Sequence, residues 1–201
     1  SQTFTANGRI YARLWDGTNE GTALSANVTN IDKLAPKDFT PTATSTTKSI
    51  TVTATAEDAD ETSESGKSGI AGYRFKLDGG EWTEYQTSGT YTWDNLKQTT
   101  DHTITVEAKD TVGNTKTGTV SKGTGTVEQP EIATCTPTTW TNGKVTVTLP
   151  TKTGFTTRYT TDGTPPTKTS TEYTSPFTVS NNCTITFIYT DGINIGQSQI
   201  A

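Results

Sequence analysis

His102 is the only histidine in the chain, and Cys135 and Cys183 are its only cysteines. A structural zinc site takes four Cys or His ligands, and a Ser-His-Asp triad is built around a positioned histidine. No Cys/His zinc set and no triad is read here. His102 falls where a strand begins and reads as a structural corner residue. The acidic run Glu57, Asp58, Asp60, Glu61 and Glu64 supplies carboxylates, the hard oxygen donors of which calcium takes about six to eight. Its spacing does not match an EF-hand loop, and Ser and Thr interrupt it, so it reads as a solvated loop. Glycoside hydrolysis needs a cleft holding two carboxyl groups about 5–10 Å apart, which small sandwiches rarely form. No catalytic, metal-ligating or cofactor-binding residue is assigned, and no cofactor is expected. Trp15, Trp82, Trp93 and Trp140 could stack on sugar rings, but Trp82 and Trp93 lie in or beside strand patterns, where cross-strand packing is the usual fate of a Trp. Trp140 precedes a turn. Trp140 and Trp82 are the candidate ligand contacts.

The elements that would position these residues are strands. Three segments can be laid over one another: Gly8–Asp16, His102–Asp110 and Cys183–Asp191. Each ends in Asp, followed three or four residues later by Asn19, Asn114 or Asn194. The apolar positions share one phase, with Ile10, Ala12 and Leu14 matching Ile104, Val106 and Ala108, and Ile185, Phe187 and Tyr189. Alternation of period two marks a half-buried strand, and the polar punctuation after it marks a hairpin. Asp16, Asp110 and Asp191 are read as Asx-turn residues, whose carboxylates bond backbone amides two or three residues on. A second motif recurs as Arg74–Gly79 and Arg158–Gly163.

Hydrophobic residues make up 29% of the chain, mean hydropathy is −0.60, and Thr fills roughly a quarter of it, far above average usage. Thr is β-branched and polar, which suits the solvent face of a strand. No window sustains a helical period. A net charge of −5 argues against nucleic acid or an anionic membrane as a partner, and no apolar run is long enough to insert in a bilayer.

The predicted class is all-β: tandem immunoglobulin-like β-sandwiches. Residues 1–35 read as the terminal hairpin of a preceding module plus a linker, 36–128 as one sandwich and 129–201 as a second. The chain opens in mid-motif and lacks Met, so it is expected to be a piece of a longer protein with neighbouring Ig-like modules. The first sandwich is expected to have strands near 38–43, 48–56, 70–77, 81–86, 89–94, 102–109 and 115–121, with a mobile loop from Glu57 to Lys67. Strands of the second are expected near 131–135, 144–149, 155–161, 176–180, 184–190 and 195–200. If the strand order is that of an immunoglobulin domain, Cys135 and Cys183 fall at one end of the second sandwich. A disulfide between them is then possible; two separate buried thiols are the alternative.

Two resemblances follow from particular strings. The first sandwich, through Ser68–Phe75, Asp78-Gly79-Gly80-Glu81-Trp82, Leu96 and Ala108–Asn114, resembles the Ig-like and fibronectin-III-like repeats of bacterial surface proteins. Fibronectin-III-like domains carry a corner Tyr six residues after the Leu, and here His102 stands at that place. The second, through Tyr159–Thr167 and Tyr173–Phe177, resembles the C-terminal β-sandwich of chitobiases, which recurs as an accessory module of secreted glycoside hydrolases. These resemblances imply a non-catalytic spacer or adhesive segment of a secreted or surface-attached bacterial protein, with an unidentified protein or polysaccharide partner. Accessory modules of a secreted glycoside hydrolase are the alternative.

Overall fold

A computed structural model describes residues 2–59 and 67–201. Among these residues there is no helix, and hence none long and apolar enough to cross a membrane. β1 (Gly8–Ala12) and β2 (Leu24–Val28) form an antiparallel ribbon, with Gly8 opposite Val28 and Ala12 opposite Leu24. β3 (Thr42–Ser45), β4 (Ile50–Thr53), β5 (Ile70–Leu77), β6 (Thr90–Trp93), β7 (Asp101–Asp110) and β8 (Thr115–Gly123) follow. They pair as the sheets β3-β4-β6 and β5-β7-β8. The remaining strands are β9 (Thr134–Thr136), β10 (Val145–Thr148), β11 (Thr156–Thr160), β12 (Thr171–Glu172), β13 (Phe177–Val179), β14 (Thr186–Thr190) and β15 (Gln199–Ile200). They pair as β13-β10-β9 and β12-β11-β14-β15. In both sets the two opening strands pair with a later one, while the third strand joins the last two. This is the A-B-E and C-F-G division of an Ig-like sandwich, and the chain is all-β as its alternation predicts.

The chain forms two compact units: 1–42 with 52–91 and 103–120, and 43–51 with 92–102 and 121–201. In the first, β5 and β7 run antiparallel with Tyr73 opposite Ala108, Phe75 opposite Val106 and Leu77 opposite Ile104. Tyr73, Phe75, Ile104, Val106 and Ala108 are buried, as are Val52, Ala54 and Ala56. Full burial of a large apolar side chain contributes about 1.5–3 kcal/mol, so this row dominates the unit's stability. The Phe75 ring stacks on Tyr91 at 5.5 Å, and the Tyr73 hydroxyl accepts a hydrogen bond from the Ala56 amide at 3.0 Å.

The strand expected at 81–86 does not form. Thr83 donates its amide to the Phe75 carbonyl (2.8 Å), but the Phe75 amide donates to the Thr83 hydroxyl (3.0 Å). A side-chain oxygen thus takes the place of a ladder carbonyl, and only a single bridge between Tyr73 and Gln86 remains. Gly72 is required beside it, since a Cβ there would lie 2.7 Å from the Gln86 carbonyl oxygen.

In the second unit Val147, Leu149, Tyr173, Ile185 and Phe187 form one buried cluster, with Cys135, Tyr159, Phe177 and Val179 packed against it. Tyr159 stacks on Phe177 at 4.6 Å. β14 is buried at every position, where the sequence pattern had implied one buried face. β12 was not expected: its two exposed polar residues carry no apolar alternation. Its pairing with β11, Arg158 opposite Glu172, is reinforced by their ion pair at 3.1 Å.

Candidate functional site

The three Asp-terminated segments close with the same turn. Asp16 Oδ1 accepts from the amides of Thr18 (2.9 Å) and Asn19 (2.7 Å). Asp191 Oδ1 accepts from Ile193 (2.9 Å) and Asn194 (2.7 Å). Asp110 Oδ1 accepts from Val112, Gly113 and Asn114 at 3.0, 2.7 and 2.8 Å. In each case the Asn side-chain amide donates to the other carboxylate oxygen. These are Asx-turns, as their spacing implies. What differs is the company each carboxylate keeps.

Asp16 is exposed, and its carboxyl is held below the usual range by the Asn19 amide first and the Thr18 amide second. Asp191 is buried within the second unit. The Thr47 hydroxyl donates to its Oδ2, and Lys48 Nζ donates to its backbone carbonyl. Asn194 Nδ2 donates to the carbonyls of Thr47 (3.0 Å) and Leu96 (3.1 Å), and its Oδ1 accepts from the Gln98 amide (3.0 Å). Burial pushes the Asp191 carboxyl up, but the Thr47 hydroxyl and the turn amides outweigh it and leave it lowered.

Asp110, only 1% exposed, lies in the first unit with Asp58, 4% exposed, and the half-buried Asp32. One carboxylate oxygen from each lies within 4.8 Å of those of the other two. Asp58 Oδ2 accepts from Ser68 Oγ (3.2 Å) and the Gly69 amide (2.5 Å). Asp32 accepts from the Leu34 and Ser68 amides at 3.1 and 3.3 Å. Unit charges about 4–5 Å apart repel by roughly 3–4 kcal/mol at an effective dielectric near 20. Asp58 and Asp110 are too deeply buried to meet a sugar, so this cluster is not a glycosidase carboxylate pair.

Asp58 thus does not lie on a solvated loop, whereas Glu57 is exposed and pairs with Lys37 at 3.1 Å. Asp60, Glu61 and Glu64, with the middle of the loop expected from Glu57 to Lys67, lie outside the described residues. His102 is buried on β7. Cys135 and Cys183, expected as a possible disulfide, are free thiols. Cys135 packs on the core cluster whereas Cys183 is exposed in the loop before β14, so one thiol points inward and the other to solvent.

Trp82 and Trp140 are not brought together into one described pocket. Arg74 lies over the Trp82 ring at 4.7 Å and Lys76 at 4.8 Å, so cations already occupy the surface a sugar would use. Arg74 also pairs with Glu107 at 2.8 Å, and Glu107 accepts from the Tyr85 hydroxyl. Burial and that bond push the Tyr85 phenol up to about 12. Trp140 is fully exposed.

No curated protein matches the chain. Among solved structures, a two-domain fibronectin type-III segment of chicken tenascin is similar at 15% identity, covering 83% of this chain and 97% of that one with a TM-score of 0.36. The FN1–FN3 domains of chicken CNTN1 are similar at 13% identity, over 96% of this chain and 76% of that one, with a TM-score of 0.34. Chitinase ChiA74 from Bacillus thuringiensis is similar at 18% identity, over 83% of this chain but 28% of the chitinase, with a TM-score of 0.34. The segment resembling the chitobiase module, residues 136–200, matches the family model of the chitobiase/beta-hexosaminidase C-terminal domain.

Proposed function

We propose that the chain is a non-catalytic spacer or presenting segment of a secreted or surface-attached bacterial protein. The observation that carries this reading is the hydrogen-bonded joint in the second unit. The Asp191–Asn194 turn does not end in solvent but bonds the segments around Thr47 and Leu96-Lys97-Gln98 through both backbone and side chains. Such a joint resists bending, which suits a spacer. The test is small-angle scattering of the chain and of its Asn194→Ala variant. The variant loses three hydrogen bonds of the joint and is expected to sample a broader range of dimensions while both sandwiches stay folded. Turnover of a chitin-type substrate, abolished by one carboxylate substitution, would overturn the non-catalytic reading.

A second reading, an accessory module of a glycoside hydrolase in contact with polysaccharide, is favoured by the family matched at 136–200 and by the exposure of Trp140. Retention on insoluble chitin that Trp140→Ala removes would support it over the first.

A further inference from the structure

We propose that Asp32, Asp58 and Asp110 form a calcium site. Their three oxygens lie within 4.8 Å of one another, close enough for all three to reach one calcium ion at about 2.4 Å. Magnesium demands near-ideal octahedral geometry and gives up its waters reluctantly, which suits a preset carboxylate cluster less well. The donors are hard carboxylate oxygens, with neither cysteine nor histidine in the set.

A second observation points into the cluster independently. Asp58 is 96% buried, and its Oδ1 has no hydrogen-bond partner among the described residues. A buried acceptor left unpaired is costly, and Oδ2 of the same group is already engaged by Ser68 and Gly69. Among the described residues no lysine or arginine bonds any of the three carboxylates, in contrast to Glu57 and Glu107. A divalent cation supplies both the missing charge and the missing partner.

The ligands are also preorganised. Asp110 is held by three amides of its own turn, and Ser68 bonds both Asp32 and Asp58. The half-buried Asp32 is the open side. It precedes Pro36 in the segment leading from β2 to β3, so the ion ties that segment to the loops bearing Asp58 and Asp110.

The test is calcium chloride titrated calorimetrically into the chelator-stripped chain at constant ionic strength, with thermal unfolding in parallel. One equivalent binds and raises the melting temperature, and magnesium chloride does so less. Asp32→Asn and Asp58→Asn each weaken calcium binding at least about tenfold. Asp16→Asn, in the matching turn but outside this carboxylate cluster, leaves it unchanged. Asp32 is the less buried ligand, so Asp32→Asn remains informative if Asp58→Asn fails to fold. The proposal is overturned if the native chain gives neither heat nor a melting shift at about 10 mM calcium, above the range of weak extracellular sites. Equal affinity of native and Asp32→Asn chains overturns it as well.

Discussion

The hairpin that turns at Asp16 and the one that turns at Asp110 are written alike and end up in opposite environments. Each has an alternating apolar strand, an Asp that bonds the next amides, a glycine at positive φ and a closing Asn. Yet Ile104, Val106 and Ala108 are fully buried, whereas Ile10 is half-buried, Ala12 is exposed and Leu14 is 86% exposed. β7 lies between β5 and β8, and among the described residues β1 pairs only with β2. Reciprocal bonds between the Asn7 side chain and the Ile31 backbone, at 2.6 and 2.9 Å, tie the base of the β1–β2 ribbon. The comparison separates two things a strand motif encodes: its own extended shape and turn, which are local, and its burial, which depends on a second sheet.

Truncating the matched positions breaks the comparison most sharply. Ile104→Ala is expected to cost about 2–5 kcal/mol, the range for emptying a packed core site, whereas Ile10→Ala should cost less than about 1 kcal/mol. Denaturant unfolding of the two variants measures the gap, and equal losses would show that the ribbon has a core of its own.

The turns give a smaller difference. Asp191→Ala removes a buried carboxylate that organises two amides and meets Thr47, and should cost about 1–3 kcal/mol. Asp16→Ala, in the exposed turn, should leave the unfolding midpoint nearly unchanged. Because the folded state holds the Asp191 carboxyl below its ordinary value, its contribution is fully present above the unfolded carboxylate range near about 3.9 and is lost as pH falls through the lower folded value. Stability against pH should therefore decline below about pH 4 more steeply in the native chain than in Asp191→Ala.

The smallest effect is one of rate. The exposed Cys183 should react with a thiol reagent in the folded chain well before Cys135, which becomes reactive as the core opens. Labelling followed by mass spectrometry orders the two.

Much of this architecture was legible in the residues. The Asp-to-Asn spacings specify turns because a short carboxylate reaches only the next few amides. The period-two rows at 70–77 and 102–109 become β5 and β7 because alternate burial in a sandwich requires that period, and the row at 184–190 becomes β14 although every position of that strand is buried. The string from Tyr159 to Thr167 was distinctive enough to point to the family whose model matches residues 136–200. The pairing of 81–86 was not legible, since a single hydroxyl on Thr83 displaced a ladder bond. Nor was β12, whose two residues depend on the neighbouring β11 for their conformation.

By itself, then, the sequence determined most of the strands, the three turns and the repeat, because each follows from neighbours a few residues away. Only the tertiary structure decided which of three similar apolar rows is left exposed, which thiol faces the core, and that Asp58 is buried rather than solvated. It alone brings Asp32, Asp58 and Asp110 together. They come from the β2–β3 connection, the segment after β4 and the turn after β7, and no local pattern can register charges that meet only when sheets pack.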